Sequence, residues 1–108
     1  ISEDSNIHGQ VEIGAGTRVT NSQIIGPVKI GNNSTIANSL IGSETSIGSE
    51  CKINNSTIRR TILMDYGTID NVTQVENSVI GKNSNVISHS EFVGNIQFMV
   101  GDDSEILL

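Results

Sequence analysis

Tryptophan is absent from this 108-residue chain, which has only one Tyr and two Phe. An interior with so few aromatics must be filled by aliphatic side chains of nearly one size, which suits a narrow core. A single Cys excludes an intrachain disulfide and any cysteine-based metal cluster. The six Lys and Arg are scattered and outnumbered by twelve Asp and Glu, for a net charge of −6. Neither nucleic acid nor an anionic membrane is then an expected partner, because each needs a basic patch. No apolar run approaches the roughly 18 residues of a membrane span, and no secretory signal opens the chain, so a cytoplasmic location is expected. The first residue is Ile rather than Met, which reads as processing or as a cut from something longer.

What fills these gaps is mostly Ile, with 17 copies, and Val, with 9, against 4 Leu and 2 Ala. β-Branched side chains lose freedom in a helix and pack well on a pleated sheet, so strands are favoured. Abundant Asn, Ser and Gly with one Pro fit short strands joined by many turns.

The aliphatics fall into three columns with a period near 17. The first holds Ile13, Ile30, Ile47, Leu63 and Ile80; the second holds Val19, Ile36, Ile53, Ile69 and Val86; the third holds Ile7, Ile24, Ile41, Ile58, Val75 and Phe92. Steps between columns run six, five and six residues, with one contraction between Ile58 and Leu63. A fixed period with a hexapeptide sub-period predicts a solenoid of the β-helix kind. Each coil has three short strands around a triangle, and successive coils stack inward residues about 4.8 Å apart. The fold class expected is all-β: a parallel β-helix, a triangular prism of about five to six coils and roughly 25–30 Å long, with a short C-terminal cap.

Turn residues agree with this register. Gly14, Gly31, Gly48 and Gly81 follow column residues, where a corner could use positive φ. Small residues recur four positions past a column residue: Thr17, Ser34, Thr45, Cys51, Ser84 and Ser104. Asn21, Asn38, Asn55 and Asn71 form a ladder followed by Ser22, Ser39 and Ser56, and stacked Asn side chains can bond between coils. The pattern breaks at 93–99 and resumes after about three extra residues. The expected organisation is one domain over 1–108: coils over about 1–88, an excursion over about 89–99, and a last partial coil over 100–108. Phe92, Phe98 and Met99 are expected to cover the open end, because an exposed terminal edge invites pairing with another chain.

These columns resemble those of the hexapeptide-repeat family, and the resemblance implies a left-handed helix. The segments NSQIIGPVKIGNNSTI (21–36), IGSETSIGSECKI (41–53), VENSVIGKNSNV (75–86) and FMVGDDSEILL (98–108) are similar to the C-terminal domain of long-form glucose-1-phosphate thymidylyltransferases, members of the sugar-1-phosphate nucleotidyltransferases. In that family a separate N-terminal domain carries the chemistry. There a sugar-1-phosphate oxygen attacks the α-phosphorus of a nucleoside triphosphate with Mg²⁺, releasing pyrophosphate. Its Gly-rich loop and metal carboxylates have no matching positions here, so no catalytic, cofactor-binding or metal residue is assigned to this chain. The implied partners are the chain's own N-terminal catalytic domain and further copies of itself, a trimer being one form. Mg²⁺ would belong to the catalytic domain.

Remaining candidates are weighed singly. His8 and His89 could suggest a hexapeptide acyltransferase, in which a His serves as general base. The register sets them roughly 20–25 Å apart, so they cannot share a metal, and β-helical carbonic anhydrases need three His ligands. Surface histidines are the simpler account. Cys51 occupies a small-residue slot and is expected to be an inert packing group. Arg59-Arg60 could grip a phosphate, but Glu76 lies one coil away and a cross-strand ion pair is expected instead. Asn33-Ser34-Thr35, Asn54-Asn55-Ser56 and Asn71-Val72-Thr73 match the glycosylation pattern and read as turn chemistry without a signal peptide. Asp102, Asp103 and Glu105 on one turn are expected to stay solvated rather than hold a cation.

Overall fold

The computed structural model describes residues 5–96 and 99–108, and for 89–96 it describes the backbone. Sixteen strands, β1 to β16 in chain order, lie on three sides of a prism in parallel register, with no helix among the described residues. Side 1 carries β2 (Val11–Ile13), β5 (Val28–Ile30), β8 (Thr45–Ile47), β11 (Ile62–Leu63), β13 (Val79–Ile80) and β15 (Met99–Val100). Side 2 carries β3 (Arg18–Thr20), β6 (Thr35–Ala37), β9 (Lys52–Asn54), the start of β12 (Thr68–Glu76), the start of β14 (Asn85–Ile96) and β16 (Glu105–Leu107). Side 3 carries β1 (Asn6–His8), β4 (Gln23–Ile25), β7 (Leu40–Ile41), β10 (Thr57–Arg59) and the ends of β12 and β14. The chain is a β-solenoid of about five turns, 32 Å in its longest dimension.

Alternation within each short strand buries the column residue and exposes its neighbours. Ile24 stacks on Ile41 and Ile41 on Ile58, all three sealed from solvent. Ile36, Ile53 and Ile69 repeat this on side 2, and Ile30, Ile47, Leu63 and Ile80 on side 1. One Ile above another gives near-identical contacts at every rung, so uniform aliphatics suffice. Leu63 pairs with Ile47 only 16 residues earlier, which confirms the contraction after Ile58.

Corners depend on the left-handed backbone. The corner from side 1 to side 2 has positive φ at Gly16, Asn33, Glu50, Tyr66, Asn83 and Asp103. The corner from side 2 to side 3 has it at Asn21, Asn38, Asn55 and Asn71, and the corner back to side 1 at Gly9, Glu44, Arg60 and Asn77. Asn tolerates this conformation best after Gly, which accounts for the Asn ladder. Gly14, Gly31, Gly48 and Gly81 are not among the positive-φ residues, so the reason expected for them is corrected. Their cause is close approach: a Cβ on Gly31 would meet the carbonyl carbon of Gly48 at 2.7 Å, and one on Gly81 the nitrogen of Asp102 at 2.6 Å.

The register of the last turn also differs from the spacing. Phe92 pairs with Val72, and Ile96 takes the place opposite Val75 that the columns gave to Phe92. Partners lie 17 residues apart at Asp70–Ile87, 20 at Val72–Phe92 and 21 at Val75–Ile96. The additional residues are absorbed inside the paired strand β14, with register shifts facing Asp70 to Gln74. By Ile80–Val100 the separation is 20. Met99 does not cover the end: it is 90% exposed, because Val100 is the inward residue of β15. Phe98 and the Phe92 side chain lie outside the described residues.

Candidate functional site

Two side-chain ladders stitch the coils together. At the corner from side 2 to side 3, the N–H of Ser22 donates to Ser5 Oγ, that of Ser39 to Ser22 Oγ, and that of Ser56 to Ser39 Oγ, at 3.1–3.2 Å. Val72 ends this run by donating its N–H to Ser56 Oγ. Inside the corner from side 1 to side 2, Thr17 and Ser34 accept the N–H groups of Ser34 and Cys51 in the same way. Cys51 is buried, and its thiol donates to the Met64 carbonyl at 3.2 Å. Burial chiefly pushes this thiol's pKa up, and nearby Asp65 adds to the effect, partly offset by backbone hydrogen bonds led by Gly67. A thiol so held is a packing group, as its slot predicted.

Beside the Asn ladder runs an open groove of about 580 Å³, lined by Asn21, Asn38, Asn55 and their Ser, Gln and Thr neighbours. The ladder amides bond lengthwise, Asn21 Nδ2 to Asn38 Oδ1 at 2.8 Å and Asn55 Nδ2 to Asn71 Oδ1 at 2.8 Å. No side chain lining this groove titrates near neutral pH; its polar groups are amides and hydroxyls. A second open groove, of about 450 Å³, follows side 1, with Glu12, Lys29 and Glu44 around Val28 and Ile62.

His8 is exposed at the end of β1 and lines neither groove. His89 lies in β14, and its side chain is outside the described set. Arg59 Nη1 approaches Glu76 Oε1 at 3.7 Å, in the register expected, and Arg60 Nη2 reaches Oε2 of the same carboxylate at 3.3 Å. Arg60 Nε also donates to Asn77 Oδ1 at 3.0 Å. Two guanidiniums thus share one carboxylate, which the pairing of Arg59 with Glu76 alone did not anticipate. Both are about half exposed, so the pairs add at most about 1 kcal/mol each.

Asn33 and Asn71 are corner residues, and Asn54 Nδ2 donates to Asp70 Oδ1 at 3.1 Å, so these Asn side chains serve turns and ladders. The terminal carboxylates are more engaged than expected. Asp102 Oδ1 accepts the Lys82 N–H at 2.8 Å, and Asp103 Oδ1 accepts from Asn83 Nδ2 at 2.9 Å. Among the described residues no group of His, Cys, Asp and Glu is arranged to hold a metal ion.

The fourth coil departs from the repeat in ways the columns did not flag. Arg60 and Tyr66 stand at left-handed corners, Met64 follows Leu63 where Gly follows the neighbouring column residues, and Ile62, Met64 and Tyr66 are 45%, 37% and 61% exposed. The signal was available in RRTILMDYG (59–67), whose residues break the small-and-polar rule of the other corners.

No curated protein matches the chain. Residues 1–59 match the family model of the GMPPB C-terminal domain, and the match ends at Arg59, where the regular repeat gives way. A solenoid of stacked aliphatics and a family match over more than half its length place the chain in the GMPPB C-terminal domain family, a C-terminal domain related to sugar nucleotidyltransferases.

Proposed function

We propose that this chain is the assembly and regulatory β-helix of a sugar-1-phosphate nucleotidyltransferase. It works by associating with further copies of itself and by packing against a catalytic domain that lies outside the chain. The observation that carries this reading is the family match on a regular solenoid. Flat, repetitive sides are suited to symmetric association, because the same patch can face itself.

In the parent protein a phosphate oxygen of the sugar-1-phosphate attacks the α-phosphorus of the nucleoside triphosphate. A new phosphoanhydride forms and pyrophosphate leaves with the electron pair of the broken bond. Mg²⁺ in the catalytic domain would neutralise the phosphates, and no residue of this chain is assigned to it. The substrates proposed are dTTP and glucose-1-phosphate, giving dTDP-glucose in the cytoplasm. Support for that pair comes from the resemblance of 75–86 and 98–108, which lie beyond the residues the family model matches. The pure chain, incubated with dTTP, glucose-1-phosphate and Mg²⁺, is expected to release no pyrophosphate; steady release would overturn the non-catalytic role. An acyltransferase would instead need a His beside a coenzyme A groove. Titration with acetyl-CoA is expected to give no saturable heat, and a saturating exotherm would replace this reading with that one.

A further inference from the structure

We propose that the chain pairs with a second copy of itself through the fourth coil of side 1, in a two-fold arrangement that sets Arg60 of each copy against Asp65 and Tyr66 of the other. This deepens the assembly role proposed above and rests on it.

The fourth coil gives up stability for its surface. Arg60 has φ +47° and Tyr66 φ +62°, where other corner residues are Gly, Asn or a short or flexible acid. A left-handed conformation at a residue with a large side chain costs about 1–2 kcal/mol. Such strain persists where something else selects the side chain, and both are on the outside of the prism. Between them Ile62 and Met64 face outward, so seven consecutive residues present a cation, an aliphatic, a thioether and an aromatic across one side. Arg, Met and Tyr are the residues that protein interfaces enrich, and Arg and Tyr are frequent hot spots.

The row is complementary to its own reverse. Turned by a two-fold axis through its middle, Ile62 of each copy meets Met64 of the other, and each Arg60 meets the opposite corner. That corner carries Asp65 beside Tyr66, with Glu50 at the equivalent place one coil earlier. Arg59 and Arg60 share a single carboxylate, Glu76, so one positive charge is left to answer this acidic corner. The guanidinium of Arg60 can also lie on the Tyr66 ring. Apolar contact continues toward the C-terminus, since Ile62, Val79 and Met99 form one outward row in register. In the other direction the row becomes Ser46, Lys29 and Glu12, which limits the dry part of the contact to this half.

Sedimentation velocity on the 108-residue chain, over a range of concentrations and at low and high salt, tests the pairing. The expected result is a monomer–dimer equilibrium that salt weakens. Tyr66→Asn and Arg60→Asn each relieve a strained corner, so both are expected to raise the thermal midpoint of the dilute monomer. Each is also expected to weaken dimerisation by about tenfold or more. Opposite signs in the two readouts separate loss of contact from loss of fold. Assembly unchanged in both variants, or a trimer, overturns this pairing and leaves the assembly role standing. A monomer at every concentration overturns the pairing and self-association together.

Discussion

Ser39 shows how much a single small side chain does here. Its hydroxyl donates to the Ala37 carbonyl at 2.7 Å and accepts the buried N–H of Ser56 at 3.2 Å. Ser39→Ala removes the acceptor and leaves that N–H without its partner, so about 1–3 kcal/mol should be lost, measured as a lower midpoint in urea. Cys51 makes a different test. Its folded pKa is raised, so the thiol's contribution to stability is complete below the pKa of an unfolded thiol, about 8.5, and declines as pH climbs above it. The unfolded chain ionises first and is favoured. Cys51→Ser keeps a donor and acceptor in the same slot, so the stability difference between pH 7.5 and pH 10 is expected to shrink in the variant. An equal difference in both proteins would show that this thiol does not set the alkaline limit.

At the scale of the strand and corner, two kinds of glycine are separable by substitution. Gly31→Ala sets a methyl against the backbone of Gly48 and Ser49 at 2.7–2.8 Å, which nothing can yield cheaply, and should lose more than about 2 kcal/mol. Gly16→Asn places the residue most tolerant of φ +76° at a corner where the nearest obstacle is the movable amide of Asn33, and should cost far less. Parallel urea titrations would rank them; the reverse order would sink the close-approach explanation. The same corners mark what could be read from the sequence. The columns from Ile13 to Ile80 were legible because every inward position must be an aliphatic of one size. The function of the glycines was not, because coil-to-coil distance leaves no trace in spacing. Phe92 was misplaced for a related reason: spacing counts inserted residues but does not say whether they leave the strand or bulge within it, and β14 takes them up at its register shifts. The anomalies of Arg60 and Tyr66 required knowledge of which positions are left-handed.

For the molecule as a whole, the governing fact is that each rung bonds only to the rungs on either side. Core columns, the Ser ladder and the Asn ladder all repeat with the coil and none spans more than one step. Stability is then a sum over neighbours rather than a property of one closed core. Duplicating residues 22–38 in place should add one coil whose contacts match those on both sides. The longer protein is expected to fold cooperatively with a raised midpoint, and a lowered one would mean that the ends are coupled across the whole stack. Its length, by small-angle scattering, should grow by about 4.8 Å. The prism is in this sense a gauge block. The number of coils sets the distance between its two ends in fixed increments, so the spacing of whatever is joined to each end can be changed by adding or deleting whole repeats without altering either joint.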